Sequence, residues 1–124
     1  MKLSTVFLIN AIFAGFGGFG LVVMPAALMA PYGPELNTAG IFVAQLLGVT
    51  LLGTSYIYWA TRNVKDRPIL YTLSFGAFCI HLAALVLGLW SYQIHALNNM
   101  IFVDVFLHGL LAGGFGYYGV WKKV

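Results

Sequence analysis

The chain predicts an all-α polytopic membrane protein, an antiparallel up-down four-helix transmembrane bundle with both termini cytoplasmic. Three observations lead there. Only 7% of residues are charged and 61% are hydrophobic, whereas a water-exposed domain carries roughly 25% charged residues. Apolar stretches recur at lengths near the ~20 residues that cross a bilayer. All six lysines and arginines (Lys2, Arg62, Lys65, Arg67, Lys122 and Lys123) fall before the first stretch, between the second and third, or after the fourth. The positive-inside rule produces this segregation. Residues 1–124 form a single transmembrane domain, with no room for a sizeable domain outside the bilayer.

The first span covers residues 4–24. Lys2 followed by an apolar run also fits a secretory signal. The run is longer than the ~7–15-residue core of such signals, and the small-residue end Leu28-Met29-Ala30 is followed by Pro31. The segment is therefore expected to remain as a mature helix. Pro25 ends or kinks it. Residues 25–37 hold Pro31, Gly33, Pro34 and the lone charge Glu35, so they read as a loop or short interfacial helix.

The second span, residues 38–60, closes on Tyr56, Tyr58 and Trp59 and runs into a basic loop. The third, residues 69–92, starts after Pro68, a favourable first-turn position. Residues 93–98 form a short outer turn with His95, and the fourth span, residues 99–121, is anchored by Lys122 and Lys123. The aromatic residues mark the same edges. Tyr56, Tyr58, Trp59, Tyr71, Tyr117, Tyr118 and Trp121 make an inner belt, and Tyr32, Trp90 and Tyr92 an outer one, as rings with polar tips do at membrane interfaces. Connections this short predict that sequential helices are antiparallel neighbours.

The net charge of +3 does not indicate nucleic acid. The basic residues flank apolar spans, where they set topology and meet lipid headgroups, and none forms a run that could track a phosphate backbone. Cys79 is the only cysteine, which excludes an intrachain disulfide and a cysteine-cluster metal site. A buried small residue is its expected role. No nucleophile elbow or phosphate-cradling loop occurs, so no catalytic residue and no enzyme activity are expected.

Fifteen glycines suggest close helix packing, because lipid gives helices little hydrophobic reason to associate. Ala11, Gly15 and Gly18 form a small stripe on span one. Ala44 and Gly48 form one on span two, and Gly109, Gly113 and Gly116 one on span four. On span three the stripe is Ser74, Ala77, Ala84 and Gly88, with His81 in line. The segments AGFGGFG and AGGFGYYG share this chemistry but cross in opposite directions, so they are not read as a repeat. More small faces than one bundle needs would imply a surface kept for a partner.

Ionisable groups inside spans are costly and point to function. Here they are His81, Asp104 and His108, with Asn10, Gln45, Thr50 and Thr54 as neutral polar company. Asp104 and His108 share a face of span four. By depth, at ~1.5 Å per residue, Gln45, Asp104, His108 and His81 form a ladder from the outer surface to the midplane, while Asn10 lies apart. Such a ladder has three readings. It is a satisfied network that fixes helix rotation, or a relay for protons or solute. Alternatively, His81 and His108 ligate a haem or (bacterio)chlorophyll, with Asp104 orienting His108. A metal ion is not expected, because the donors are too few.

The layout resembles small four-span bacterial inner-membrane proteins of uncharacterised function. The resemblance rests on residues 18–33 (GFGLVVMPAALMAPYG), residues 45–63 (QLLGVTLLGTSYIYWATRN) and the glycine-rich last span. It implies membrane residence but carries over no site residue. The size is also similar to that of small multidrug transporters, which place an essential glutamate in span one; this chain has Asn10 instead. The expectation is an accessory or structural subunit, with bound lipid and other integral membrane subunits or copies of itself as partners. The alternatives are a haem- or pigment-binding protein for redox or light-energy chemistry, and a small oligomeric proton-coupled transporter.

Overall fold

The computed structural model describes residues 2–122, so the anchor expected of Lys123 lies outside the described residues. Those residues are helical throughout, apart from short connections and without strands. Helix α1 spans Leu3–Val23, α2 Pro25–Met29, α3 Thr38–Thr61, α4 Arg67–Gln93 and α5 Ile101–Phe115. A 3₁₀ turn, Ala30–Tyr32, follows α2, and a π-helical stretch, Gly116–Trp121, continues α5. Four helices are long and apolar enough to cross a membrane, with 21, 24, 27 and 21 residues when the π-helical stretch is counted with α5.

The helix ends follow local chemistry. Pro25 cannot donate a backbone hydrogen bond, so α1 stops at Met24 and α2 begins with the proline in its first turn. The 3₁₀ turn ends at Gly33 with φ 105, a left-handed conformation that favours glycine. Asn37 caps α3 by accepting from Gly40 N–H at 2.8 Å. Asp66 caps α4 by accepting from Ile69 N–H at 3.0 Å, and Pro68 sits in its first turn. A side-chain oxygen in this position satisfies one of the free amides at a helix start.

Residue pairs across the helices show that packed neighbours run antiparallel. On α1 and α3, Gly18 meets Gly48 while Gly15 meets Ser55. On α4 and α5, Gly88 meets Val105 while Gly116 meets Phe78. Between α1 and α5 with its π-helical continuation, Val6 lies against Gly114 while Leu3 lies against Gly119. The packing order across the molecule is α3–α1–α5–α4.

This order departs from the expectation that all sequential helices are neighbours. Helices α3 and α4 do not pack along each other, although only residues 62–66 join them. A five-residue connection reaches roughly 17 Å, well beyond the ~8–10 Å between packed helices. A short loop therefore did not compel contact. The buried core (Leu3, Val6, Phe7, Ala11, Tyr58, Leu70, Ala77, Leu111 and Phe115) lies mostly toward the end carrying Lys2, Arg62 and Lys122, here called the basic end. Tyr58, expected in an interfacial belt, is 6% exposed and packs on Phe7 and Phe115 at centroid distances of 5.7 and 5.8 Å.

Candidate functional site

The antiparallel register of α4 and α5 brings His81 and His108 together. Their Nδ1 atoms are 2.8 Å apart and their ring centroids 5.0 Å. One turn away on α5, Asp104 Oδ2 lies 3.5 Å from His108 Nε2, as expected for residues four apart on one helix. His81 stacks on Phe115, with centroids 5.9 Å apart and planes at 8°. Its Nε2 is buried and has no hydrogen-bond partner. The three ionisable residues singled out in the spans thus form one continuous line between α4 and α5.

The other polar residues take different places. Gln45 does not join the line; its Nε2 donates to Val22 carbonyl oxygen at 3.1 Å, tying α3 to α1. Helix α3 packs on α1 rather than α5, so the shared depth of Gln45 and Asp104 did not bring them together. Thr50 and Thr54 donate to the carbonyls of Leu46 and Thr50 on their own helix. Asn10 is buried with its Nδ2 unpartnered, separate from the Asp104 line as expected. His95 is exposed, with φ 56 in the far turn. Cys79 is exposed rather than buried.

The glycines expected at contacts divide. A Cβ at Gly18 would come 2.8 Å from Gly48 oxygen, and one at Gly48 would come 2.8 Å from Gly18 oxygen. A Cβ at Gly15 would lie 3.0 Å from Ser55 Oγ, and one at Gly116 3.2 Å from Phe78. Gly109 has ordinary space, 3.4 Å from Leu85. Gly113 does not serve packing within this chain: a Cβ there would meet nothing within 4 Å. On α5 the tight positions are instead Gly114, against Val6, and Gly119, pressed on Ser74. A straight α-helix places 109, 113 and 116 on one face, but two helices, α4 and α1, pack on different faces of α5.

Sequence reasoning did not find three features. Ser55 Oγ donates to Ala11 carbonyl oxygen at 2.6 Å; its place seven residues after Gly48, on the same face, was the available signal. Ser74 stands in the expected span-three stripe, but that its buried hydroxyl has no partner was not foreseen. The third is a cap at the far end. Asn98 N–H donates to Tyr32 oxygen at 2.9 Å and Asn98 Nδ2 to Pro31 oxygen at 2.9 Å. This clip joins the two far connections, and burial, then the Asp104 carboxylate, pushes the Tyr32 phenol above its ordinary value. No local pattern announces such a long-range contact.

The histidine pair does not fit a bis-histidine haem. A metal between two imidazole nitrogens holds them roughly 4 Å apart, twice a metal–nitrogen bond of about 2 Å, and a macrocycle must fit between the rings. Here the nitrogens touch directly. The described residues hold no cluster of three or more His, Cys, Asp or Glu side chains that could bind a metal ion. Two cavities stand elsewhere. An apolar groove of about 530 Å³ lies between α1 and α3, lined by Gly15, Phe16, Phe19, Tyr56 and Trp59 among others. A second, of about 400 Å³, lies under the far cap beside Tyr32, Tyr92 and His95. Comparison with protein-family models, curated proteins and solved structures returns no match.

Proposed function

We propose that this chain is a non-catalytic integral membrane subunit that packs inside a larger membrane assembly, in a bacterial inner membrane with its basic end facing the cytoplasm. One observation carries the reading. Gly17, Gly53, Gly76 and Gly113 lie within the four long helices, yet a Cβ on any of them would meet nothing within 4 Å. A mid-helix glycine costs about 1 kcal/mol relative to alanine, and the chain's own packing does not offset that cost at these positions. A neighbouring helix that approaches the backbone closely does. The same logic applies to α3, in which only Gly48 and Tyr58 are buried by the rest of the chain.

The basic-in orientation is supported by charge. Lys2, Arg62, Lys65, Arg67 and Lys122 lie at one end of the bundle, and Glu35 in a connection at the other. Bound lipid is part of the proposal, with the apolar groove between α1 and α3 as a place for acyl chains. The glycine crossings at Gly15, Gly18, Gly48 and Gly116 hold the chain's own helices, leaving the open glycines for the partner.

The deciding experiment extracts the native membrane in gentle detergent and resolves the complex on a native gel. The expected result is a discrete species far above 13.5 kDa with defined co-migrating chains. Gly53→Leu and Gly113→Leu should dissolve that species while leaving the isolated chain folded, since a Cβ at either position meets nothing within 4 Å in this chain. A small monodisperse species that the two variants leave unchanged would overturn the proposal.

A further inference from the structure

The contact between His81 and His108 restricts how many protons the pair can carry. Both rings present Nδ1, at 2.8 Å, so one nitrogen donates and the other accepts, and a single proton lies between them. His108 also presents Nε2 to Asp104 Oδ2 at 3.5 Å. A carboxylate favours an N–H at that position. In the neutral pair, His108 therefore carries its proton on Nε2 and accepts at Nδ1, while His81 donates from Nδ1. The remaining nitrogen, His81 Nε2, holds a lone pair with no partner.

We propose that Asp104, His108 and His81 form a proton-binding site of capacity one, shared between α4 and α5. On uptake, the added proton ends on His81 Nε2, the proton between the rings passes from His81 to His108, and His108 becomes an imidazolium beside the Asp104 carboxylate. The donor is hydronium, which leaves as water. A second proton cannot be held, because both Nδ1 atoms would then carry hydrogens that face each other. The charged state places an N–H at a position 6% exposed and without an acceptor, so uptake requires water to reach His81. Exposure of the side chains rises from His81 through His108 at 26% to Asp104 at 42%, so the site is open to its surroundings at the Asp104 end.

The surroundings leave this site to act alone. Helix α5 contributes Asp104 and His108, and α4 contributes His81. The far cap contributes Tyr32 next to Asp104. Helix α3 contributes Tyr58, separated from His81 by the Phe115 ring, and α1 offers only the neutral Asn10 on its buried face. The described lysines and arginines lie at the opposite end. The proposal does not depend on the subunit reading.

The test is imidazole ¹⁵N NMR on the full chain, ¹⁵N-labelled at histidine, in lipid nanodiscs across about pH 4–9, where histidine titrates. His95→Gln removes the third histidine signal. The expected result is one proton taken up by the pair in a single step, with His81 Nε2 gaining a hydrogen and His108 becoming doubly protonated. Asp104→Asn should weaken that uptake, since the imidazolium loses the carboxylate beside it. Two separate one-proton steps, a step confined to His108, or no uptake by either ring would each overturn the proposal. If Asp104→Asn does not fold, the unsubstituted chain's titration still decides.

Discussion

At Gly18 and Gly48 two backbones occupy the space where side chains would go. A Cβ at Gly48 would lie 2.8 Å from Gly18 oxygen and 2.9 Å from Val22 N, and neither backbone atom can rotate away. Gly48→Val is therefore expected to push α1 and α3 apart and cost about 1–3 kcal/mol, the usual range for overpacking. Thermal unfolding in detergent checks this, with Gly53→Val as the contrast, since position 53 is open and should lose far less. Sequence reasoning picked out Gly18, Gly48 and Gly113 by the same small-residue spacing, yet only the first two meet another helix of this chain. Spacing identifies a face of a helix but not what stands opposite it.

At the scale of elements, the four long helices could be placed from composition, by apolar length and by Pro25 and Pro68 at their edges. The caps Asn37 and Asp66 emerged only with the structure. The π-helical stretch was not legible. It begins at Gly116 and ends with Lys122 N–H bonded to Tyr117 oxygen at 2.9 Å, and it brings Gly119 against Ser74. The far cap was equally hidden, since it depends on two connections meeting. Asn98 holds it, accepting from Met100 N–H at 2.9 Å as well as donating to Pro31. Asn98→Ala should release both side-chain bonds, at about 0.5–1.5 kcal/mol each. Faster amide exchange at Met100 and quicker proteolysis within residues 25–37, with the long helices unaffected, are the expected signs.

For the whole molecule, the proposed orientation rests on charge. Cys79 is the only cysteine, so Cys79→Ser provides a clean background for single-cysteine labelling in intact cells. Glu35→Cys and His95→Cys should react with a membrane-impermeant thiol reagent, and Lys65→Cys only after lysis. The reverse pattern would overturn the proposed orientation. The order α3–α1–α5–α4 also has a consequence at this scale. It leaves α3 packed chiefly on α1, so most of its length faces whatever surrounds the chain, and the molecule presents more open helix surface than a closed four-helix ring would.

The sequence by itself determined the number of long helices, their approximate ends and the segregation of charge. These depend on local composition: apolar length against bilayer thickness, prolines, and lysines kept from the lipid. It also placed Asp104 and His108 on one face, because four residues make one helical turn. Only the tertiary structure decided that His81 touches His108, that Gln45 bonds to α1 instead, and that α3 and α4 do not pack together. Those outcomes depend on which helices become neighbours and in what rotation. Small, close-fitting residues on several faces of each helix permit more than one such arrangement, so side-chain pairing in three dimensions selects among them.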